Sequence, residues 1–334
     1  MNFKNSVLAR APTRICDIGG WTDTWFYPKG AVFNFCVDLY SYVRIVQTQN
    51  DYIKIFAEDL GQQIILNKIN KINYDGNLDL LKAAVKWMNI ENGLNIYVKA
   101  DAPPGCGTGT SASVAVSLLA ALARLLEKKM SQKEIAKIAH ELEIKELNLE
   151  SGVQDQYAVA LGGINFMEIA YPTVVIEPIQ ISPKKVCELE SQLILVFLSS
   201  RSSSEMHKAV INNYKKGDKI TLKSLEIIKN CAYEMKNAIL SEDLAYMGDV
   251  MNKNWDSQKN LHSLMVNPII KKVEKIAMNN GAVGFKINGA GGGGSASIIA
   301  DIGKENLLKR QLIKSGFRLL STKLDFLGVQ TWKT

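Results

Sequence analysis

The sequence predicts an α+β protein of two domains, on three observations. Strand-like and helical runs follow one another in mixed order, without the regular alternation that builds a doubly wound parallel sheet. The chain of 334 residues, 47% hydrophobic and 22% charged, is long enough for two cores and of ordinary globular composition. Pro172, Pro178 and Pro183 punctuate its middle and read as a crossing between domains, which puts the expected division at 1–185 and 186–334. Two such domains leave a cleft between them.

Residues 7–75 are dominated by strand-like runs, among them 43–46, 52–56 and 63–66, separated by polar or glycine-containing turns. Helical spacing of apolar residues follows over 78–88, 111–128 and 131–147, and the last of these opens with Ser131 at the N-cap and Glu134 at the capping-box position. Between the first two helices, 94–100 alternates as a strand does. More strand follows Gly162-Gly163; 193–198 reads as a buried strand, helices fill much of 205–280, and strands return over 284–299. No internal repeat or low-complexity tract interrupts this order.

The chemistry concentrates between the strand at 94–100 and the helix beginning near 111. There Gly105, Gly107 and Gly109 alternate with Cys106, Thr108, Thr110 and Ser111, behind Pro104 and ahead of Ala112. Unpaired N–H groups and the positive end of the helix dipole face this loop, so an anion satisfies both. The glycines let the backbone curl around phosphate, and the hydroxyls bind phosphate oxygens or metal-bound water. A tight turn capped by Thr110 or Ser111 is the plainer reading of the same residues. A P-loop is excluded, because Gly109 is followed by Thr110-Ser111 with no lysine. A dinucleotide fingerprint is excluded too, because Gly107 is followed by Thr108-Gly109-Thr110 and Glu127 lies in a helical pattern.

Charge and composition narrow the partners. A net charge of +7 and a pI near 9.0 come from lysines dispersed along helices, such as Lys128-Lys129 and Lys271-Lys272, without interleaved aromatics. This predicts a bias toward anionic small substrates and no nucleic-acid partner. The most apolar helix is interrupted by Arg124, so no membrane partner is expected. Five scattered cysteines without a C-x-x-C pair argue against a disulfide framework and for a reducing, cytoplasmic setting. His140, His207 and His262 lack metal-ligand spacing, which speaks against structural zinc.

Four motifs together carry a family resemblance. They are Arg10-Ala-Pro-Thr-Arg-Ile with Gly19-Gly-Trp-Thr-Asp23, the glycine loop 104–112, Ser151-Gly-Val-Gln-Asp155 closing with Gly162-Gly163, and Asn288-Gly-Ala-Gly-Gly-Gly-Gly-Ser295. In this order they resemble the GHMP small-molecule kinases, although Thr108 and Thr110 replace the usual Leu and Ser of the ATP-binding loop. The resemblance implies an N-terminal domain like domain 2 of ribosomal protein S5 and a ferredoxin-like C-terminal domain. Within the family, the first motif together with Gln154-Asp-Gln-Tyr157 and Ser200-Arg-Ser-Ser203 looks most similar to the heptose 7-phosphate kinases and the kinase domain of fucokinase, which phosphorylate an anomeric hydroxyl, while Gly20-Trp21 departs from galactokinase.

The resemblance further implies an ATP- and Mg²⁺-dependent sugar kinase, a monomer or homodimer, acting on a heptose 7-phosphate or, second, on L-fucose. Residues 104–112 would hold ATP, and Ser111 and Glu143 would hold Mg²⁺, with Thr110 as the alternative hydroxyl and Glu141 and Glu146 on the same helix. Asp155 would be the general base and Arg14 would meet the transferring phosphate. Gly20, Trp21, Thr22, Asp23, Arg201, Gly291 and Gly292 would bind the acceptor, Arg201 through a phosphate that the sugar carries. The plainer alternatives are a helix cap for Asp155, a solvated carboxylate for Glu143, an ion pair with Asp17 or Asp23 for Arg14, a hydrophobic plug for Trp21 and a flexible hairpin for 289–294. Two rival readings are a sugar-sensing regulator that binds without turnover and an ATP-dependent decarboxylase of the mevalonate pathway.

Overall fold

Two long strands form the spine of the larger sheet. β1 (Ser6–Ile18) and β2 (Lys29–Gln47) pair antiparallel along most of their length, and both are buried through most of it. At nineteen residues, β2 outruns any one neighbour on its other side. Its first half therefore pairs with β6 (Ile164–Ala170) and its second with β5 (Leu94–Ala100), so the sheet branches. The short strand expected at 43–46 is one stretch of this element. β3 (Ile53–Ala57) lies parallel to β5, and β4 (Gln62–Leu66) completes that branch. The computed structural model describes residues 6–67, 72–90, 93–201 and 204–333. Ser202 and Ser203 of the sequence motif lie outside the described residues.

The prolines expected at a crossing are absorbed into regular structure. Pro172 stands in the turn after β6, and Pro178 lies in β7 (Thr173–Ile179), which among the described residues pairs with β6 alone. An edge strand tolerates a residue without an N–H because its outer side needs no donor. Pro183 begins α5 (Pro183–Gln192), where its missing N–H costs nothing.

Helices α1 (Asp79–Trp87), α2 (Thr110–Leu125), α3 (Gln132–Glu141) and α4 (Gln154–Leu161) pack with this sheet. α2 is apolar nearly all round because it contacts β1 and β2 as well as its three companion helices. Ser131 and Glu134 form the expected capping box. The helix expected over 131–147 changes its hydrogen-bonding pattern near its end: α3 stops at Glu141 and a π-helical turn, Leu142–Glu146, buries Leu142 and Glu143.

The second sheet is antiparallel throughout. β8 (Leu193–Ser199), β9 (Ala282–Ile287), β10 (Gly294–Ala300) and β11 (Arg318–Leu320) stand in the order β11-β8-β10-β9. With helices α6 (Ser204–Lys215), α7 (Lys219–Leu240), α8 (Leu244–Lys259) and α9 (Pro268–Asn279) between β8 and β9, and α10 (Glu305–Lys314) between β10 and β11, this is a ferredoxin-like arrangement. β12 (Gln330–Lys333) then returns to the edge of the first sheet beside β1. One apolar cluster joins Ile15, Phe33 and Phe35 to Leu189, Leu195, Met235 and Met247, so the two sheets share buried side chains. No helix among the described residues is long and apolar enough to cross a membrane, and the five cysteines are free.

Candidate active site

A cleft of about 510 Å³ opens between the two sheets, lined by Arg14 to Gln156 from one side and Arg201 to Ala290 from the other. Its floor is the glycine loop. The chain leaves β5, passes Gly105, Gly107 and Gly109 at positive φ, and enters α2 with Gly109 as N-cap. Among the described residues no side chain caps this helix. The hydroxyls of Thr110 and Ser111 are thus not spent on capping, and both line the cleft with Cys106 and Ala112. Thr108 is buried beneath, its Oγ1 3.2 Å from Thr110 Oγ1, and Pro104 stands outside the lining. Gly109 has φ +70°, and a Cβ there would fall 3.2 Å from Asp155 Oδ2, so glycine serves both the backbone and the space.

Arg14 crosses this floor from β1. Its Nε donates to Asp155 Oδ1 at 2.8 Å, its Nη2 to Asp155 Oδ2 at 3.0 Å, and its Nη1 to the Gly107 carbonyl. Burial works against the guanidinium charge, but the carboxylates of Asp155, Asp17 and Asp23 outweigh it and raise its pKa. Asp155 sits in the first turn of α4 without capping it and keeps about a quarter of its side chain exposed, 27%. Arg14 therefore takes neither of the partners nearest in sequence.

Asp23 lies deeper. Its carboxylate accepts from Gln154 N at 3.1 Å, and its carbonyl accepts from Val153 N at 3.1 Å, tying the turn after β1 to the start of α4. Burial first, with the Asp155 charge added, pushes its pKa up to about 6 against the Gln154 N–H and Arg14. Glu143 is buried as well, not solvated. Its Oε2 accepts from Ser151 Oγ and from Gln156 Nε2 at 2.9 Å, and burial pushes it up to about 7, with Asp155 adding to the shift against these two bonds.

Among the described residues this carboxylate has only neutral hydrogen-bond donors, and a cation is what would offset its burial. The described residues hold no cluster of three His, Cys, Asp or Glu side chains suited to a metal. A hard cation that keeps its waters and binds phosphate needs no such cluster, so Glu143 and Ser111, lining one cleft, fit Mg²⁺.

The remaining expected residues divide. Trp21, at φ +81°, packs among Phe26, Met206, Ile211 and Met265 with its ring edge-to-face on His207 at 5.2 Å, while still lining the cleft. Thr22 is fully buried, and its hydroxyl is taken up by the carbonyls of Gly19 and Ala31. Gly20 packs on Asp17, and Gly291 and Gly292 pack on Met265 and Met206; none of the three is in the lining. The 289–294 turn is tied to its neighbours, with Gly292 N donating to Met265 O at 3.0 Å.

Sequence reading missed Lys286 and offered Asp17 only as a partner for Arg14. Lys286 Nζ donates to Asp17 Oδ1 at 3.0 Å, both side chains are 1–2% exposed, and Gly289 N donates to the same carboxylate at 3.1 Å. Their signal was available, since each is a charge flanked by apolar residues in a strand, Ile15-Cys-Asp-Ile and Gly284-Phe-Lys-Ile. His207 and Lys208 also line the cleft from α6 and were marked only by proximity to Arg201.

Residues 77–163 match the GHMP kinases N terminal domain, and residues 235–318 match the GHMP kinases C terminal domain. The D-glycero-alpha-D-manno-heptose 7-phosphate kinase of Campylobacter jejuni is 28% identical over 340 residues, covering 98% of this chain and 99% of that protein. The bifunctional fucokinase/GDP-fucose pyrophosphorylase of Arabidopsis thaliana is 27% identical over 324 residues, 90% of this chain and 30% of that protein. A crystal structure of a D-glycero-D-manno-heptose 1-phosphate kinase from Bacteriodes thetaiotaomicron superposes with a TM-score of 0.80 at 25% identity, over 98% of this chain and 99% of that one.

Proposed function

This chain belongs to the GHMP kinases, and we propose that it transfers the γ-phosphate of ATP to the anomeric hydroxyl of a sugar phosphate, with a heptose 7-phosphate as first candidate. One observation carries this reading. Asp155 and Arg14 form a two-pronged pair at 2.8 and 3.0 Å against the open N-terminus of α2, with Asp23 alongside. A base for an incoming hydroxyl and a cation for the phosphate it attacks thus stand together over an anion-binding loop.

Each Asp155 oxygen spends one lone pair on Arg14 and keeps another for the acceptor's hydroxyl proton. As that proton passes to Asp155, the hydroxyl oxygen bonds to the γ-phosphorus and the bond to the bridging oxygen of ADP breaks. Arg14, kept cationic by three carboxylates, offers charge to the transferring oxygens. The N–H groups of the first turn of α2, with Thr110 and Ser111, receive the donor phosphates. Asp23, ionised above about pH 6, accepts hydrogen bonds from acceptor hydroxyls, and Trp21 walls that side of the cleft. Glu143 and Ser111 would hold Mg²⁺, which when bound neutralises donor phosphate oxygens. Thr22, Gly20, Gly291 and Gly292 support the walls.

A free sugar such as L-fucose is the second candidate acceptor, supported by the likeness to the fucokinase. Coupled ADP release with ATP and Mg²⁺ across free sugars and sugar phosphates, followed by phosphorus NMR of the product, tests both. An anomeric phosphate on a heptose 7-phosphate is the expected result. Phosphorylation at another hydroxyl, or nucleotide and sugar binding without turnover, would overturn it.

A further inference from the structure

Arg201 follows β8 and lies between two glycine loops. A Cβ on Gly107 of the first loop would fall 3.2 Å from Arg201 Nη2, and a Cβ on Gly105 2.7 Å from its backbone N. From the second loop, a Cβ on Gly289 would fall 2.7 Å from Nη2 and one on Gly294 3.2 Å from Nε. Both loops are thus kept bare of side chains where the guanidinium sits.

Among the described residues its charge is answered only in part, by Asp17 and Asp155 acting without a hydrogen bond. Arg201 Nε is buried without a hydrogen-bond partner among the described residues, where Nη2 makes one long contact, 3.5 Å to Asn288 O. Among the described residues no carboxylate pairs with it, whereas Arg14 on the other side of Gly107 is paired with Asp155. Burial and the neighbouring Arg14 charge lower its pKa to about 10, so an anion between the two guanidiniums would relieve both.

Two anions are candidates, the donor's phosphates and a phosphate carried by the acceptor. The acceptor side is bounded by Trp21, Asp23 and Gly152, and the close approaches of Arg201 are to the other wall, the loop that opens α2 and the turn between β9 and β10. We infer that Arg201 binds the β- and γ-phosphate oxygens of the nucleoside triphosphate between the two glycine loops, and not a phosphate of the acceptor. The inference rests on the kinase reading and reverses the side on which the sequence motif placed this residue.

Calorimetric titration of the parent, Arg201→Gln and Arg201→Lys with a non-hydrolysable ATP analogue, tripolyphosphate and AMP tests it without turnover. A guanidinium–phosphate bond is worth a fold-change of about 10 to 100. Arg201→Gln should weaken the analogue and tripolyphosphate by that factor and leave AMP unchanged, with Arg201→Lys recovering part of the loss. Unchanged analogue binding together with a raised KM for the sugar phosphate would overturn the assignment in favour of the acceptor. Equal losses for AMP and the analogue would overturn it in favour of a structural role. A parent chain that binds no nucleotide would overturn the kinase reading and this assignment with it.

Discussion

At the scale of single residues the site depends on where two carboxylates are held. Asp155→Asn keeps the shape and the Arg14 contact of one oxygen but removes the proton acceptor. General-base loss costs about 10²- to 10⁴-fold, so kcat should fall by that much while calorimetry finds ATP and acceptor bound within a few fold. Turnover close to the parent would remove Asp155 from its role. Gly152 is as exacting, because a Cβ there would collide with the Asp23 carboxylate. Gly152→Ala should therefore raise the acceptor KM about tenfold, the loss of one charge-assisted hydrogen bond, and leave the KM for ATP alone. A rise in the ATP KM instead would mean that Asp23 does not face the acceptor.

At the scale of elements, the π-helical turn at Leu142–Glu146 is what brings Glu143 into the cleft, and it makes a pH-dependent prediction. Glu143 titrates at about 7 in the fold against 4.5 for an ordinary glutamate, so the folded chain binds the proton more tightly than the unfolded one. Its contribution to stability is then present below the unfolded value and lost as pH rises through the folded one. A cation that needs the ionised form acts oppositely, gaining affinity by about tenfold per pH unit below that value. Thermal unfolding in EDTA and in Mg²⁺ at pH 5.5 and 8 should give a Mg²⁺-induced gain that grows with pH. Glu143→Gln should abolish that gain and leave only the smaller slope of Asp23. A gain independent of pH, or one that survives in Glu143→Gln, would put the metal elsewhere.

The strands carry a second element-level device. Asp17 on β1 and Lys286 on β9 latch one sheet to the other and hold Gly289 at the edge of the cleft. Stripping a buried pair of one member costs about 3–5 kcal/mol because the other charge stays unpaired. Lys286→Met should show that loss in denaturant unfolding, and Asp17→Asn added to it should give part of it back. Additive losses would mean that the pair is not coupled.

For the whole molecule, the shared cluster and the returning strand β12 make the two sheets interdependent. Thermal unfolding should follow one transition, and a fragment ending at residue 185 should lack a cooperative transition, since it loses β12 and exposes Ile15, Phe33 and Phe35. Two resolved transitions, or a stably folded fragment, would contradict that coupling.

The mixed order of strands and helices, the capping box at Ser131 and the glycine loop before α2 were all legible in the sequence, because each depends on residues close along the chain. Periodicity, capping and positive φ are local properties. Local pattern did not extend to the nineteen-residue β2, which two different partners stabilise, or to Pro178 on a sheet edge. The same limit governs the site. The motifs named Arg14, Asp23 and Asp155, and the family resemblance Glu143, but their pairing was decided by the fold, since Arg14 passed over Asp17 and Asp23 for a carboxylate 141 positions away. The burial that raises Glu143 and Asp23 and the latch from Asp17 to Lys286 arise the same way. Charge and burial act through space, so only the tertiary structure sets them, whereas the residues able to respond to them are written in the sequence.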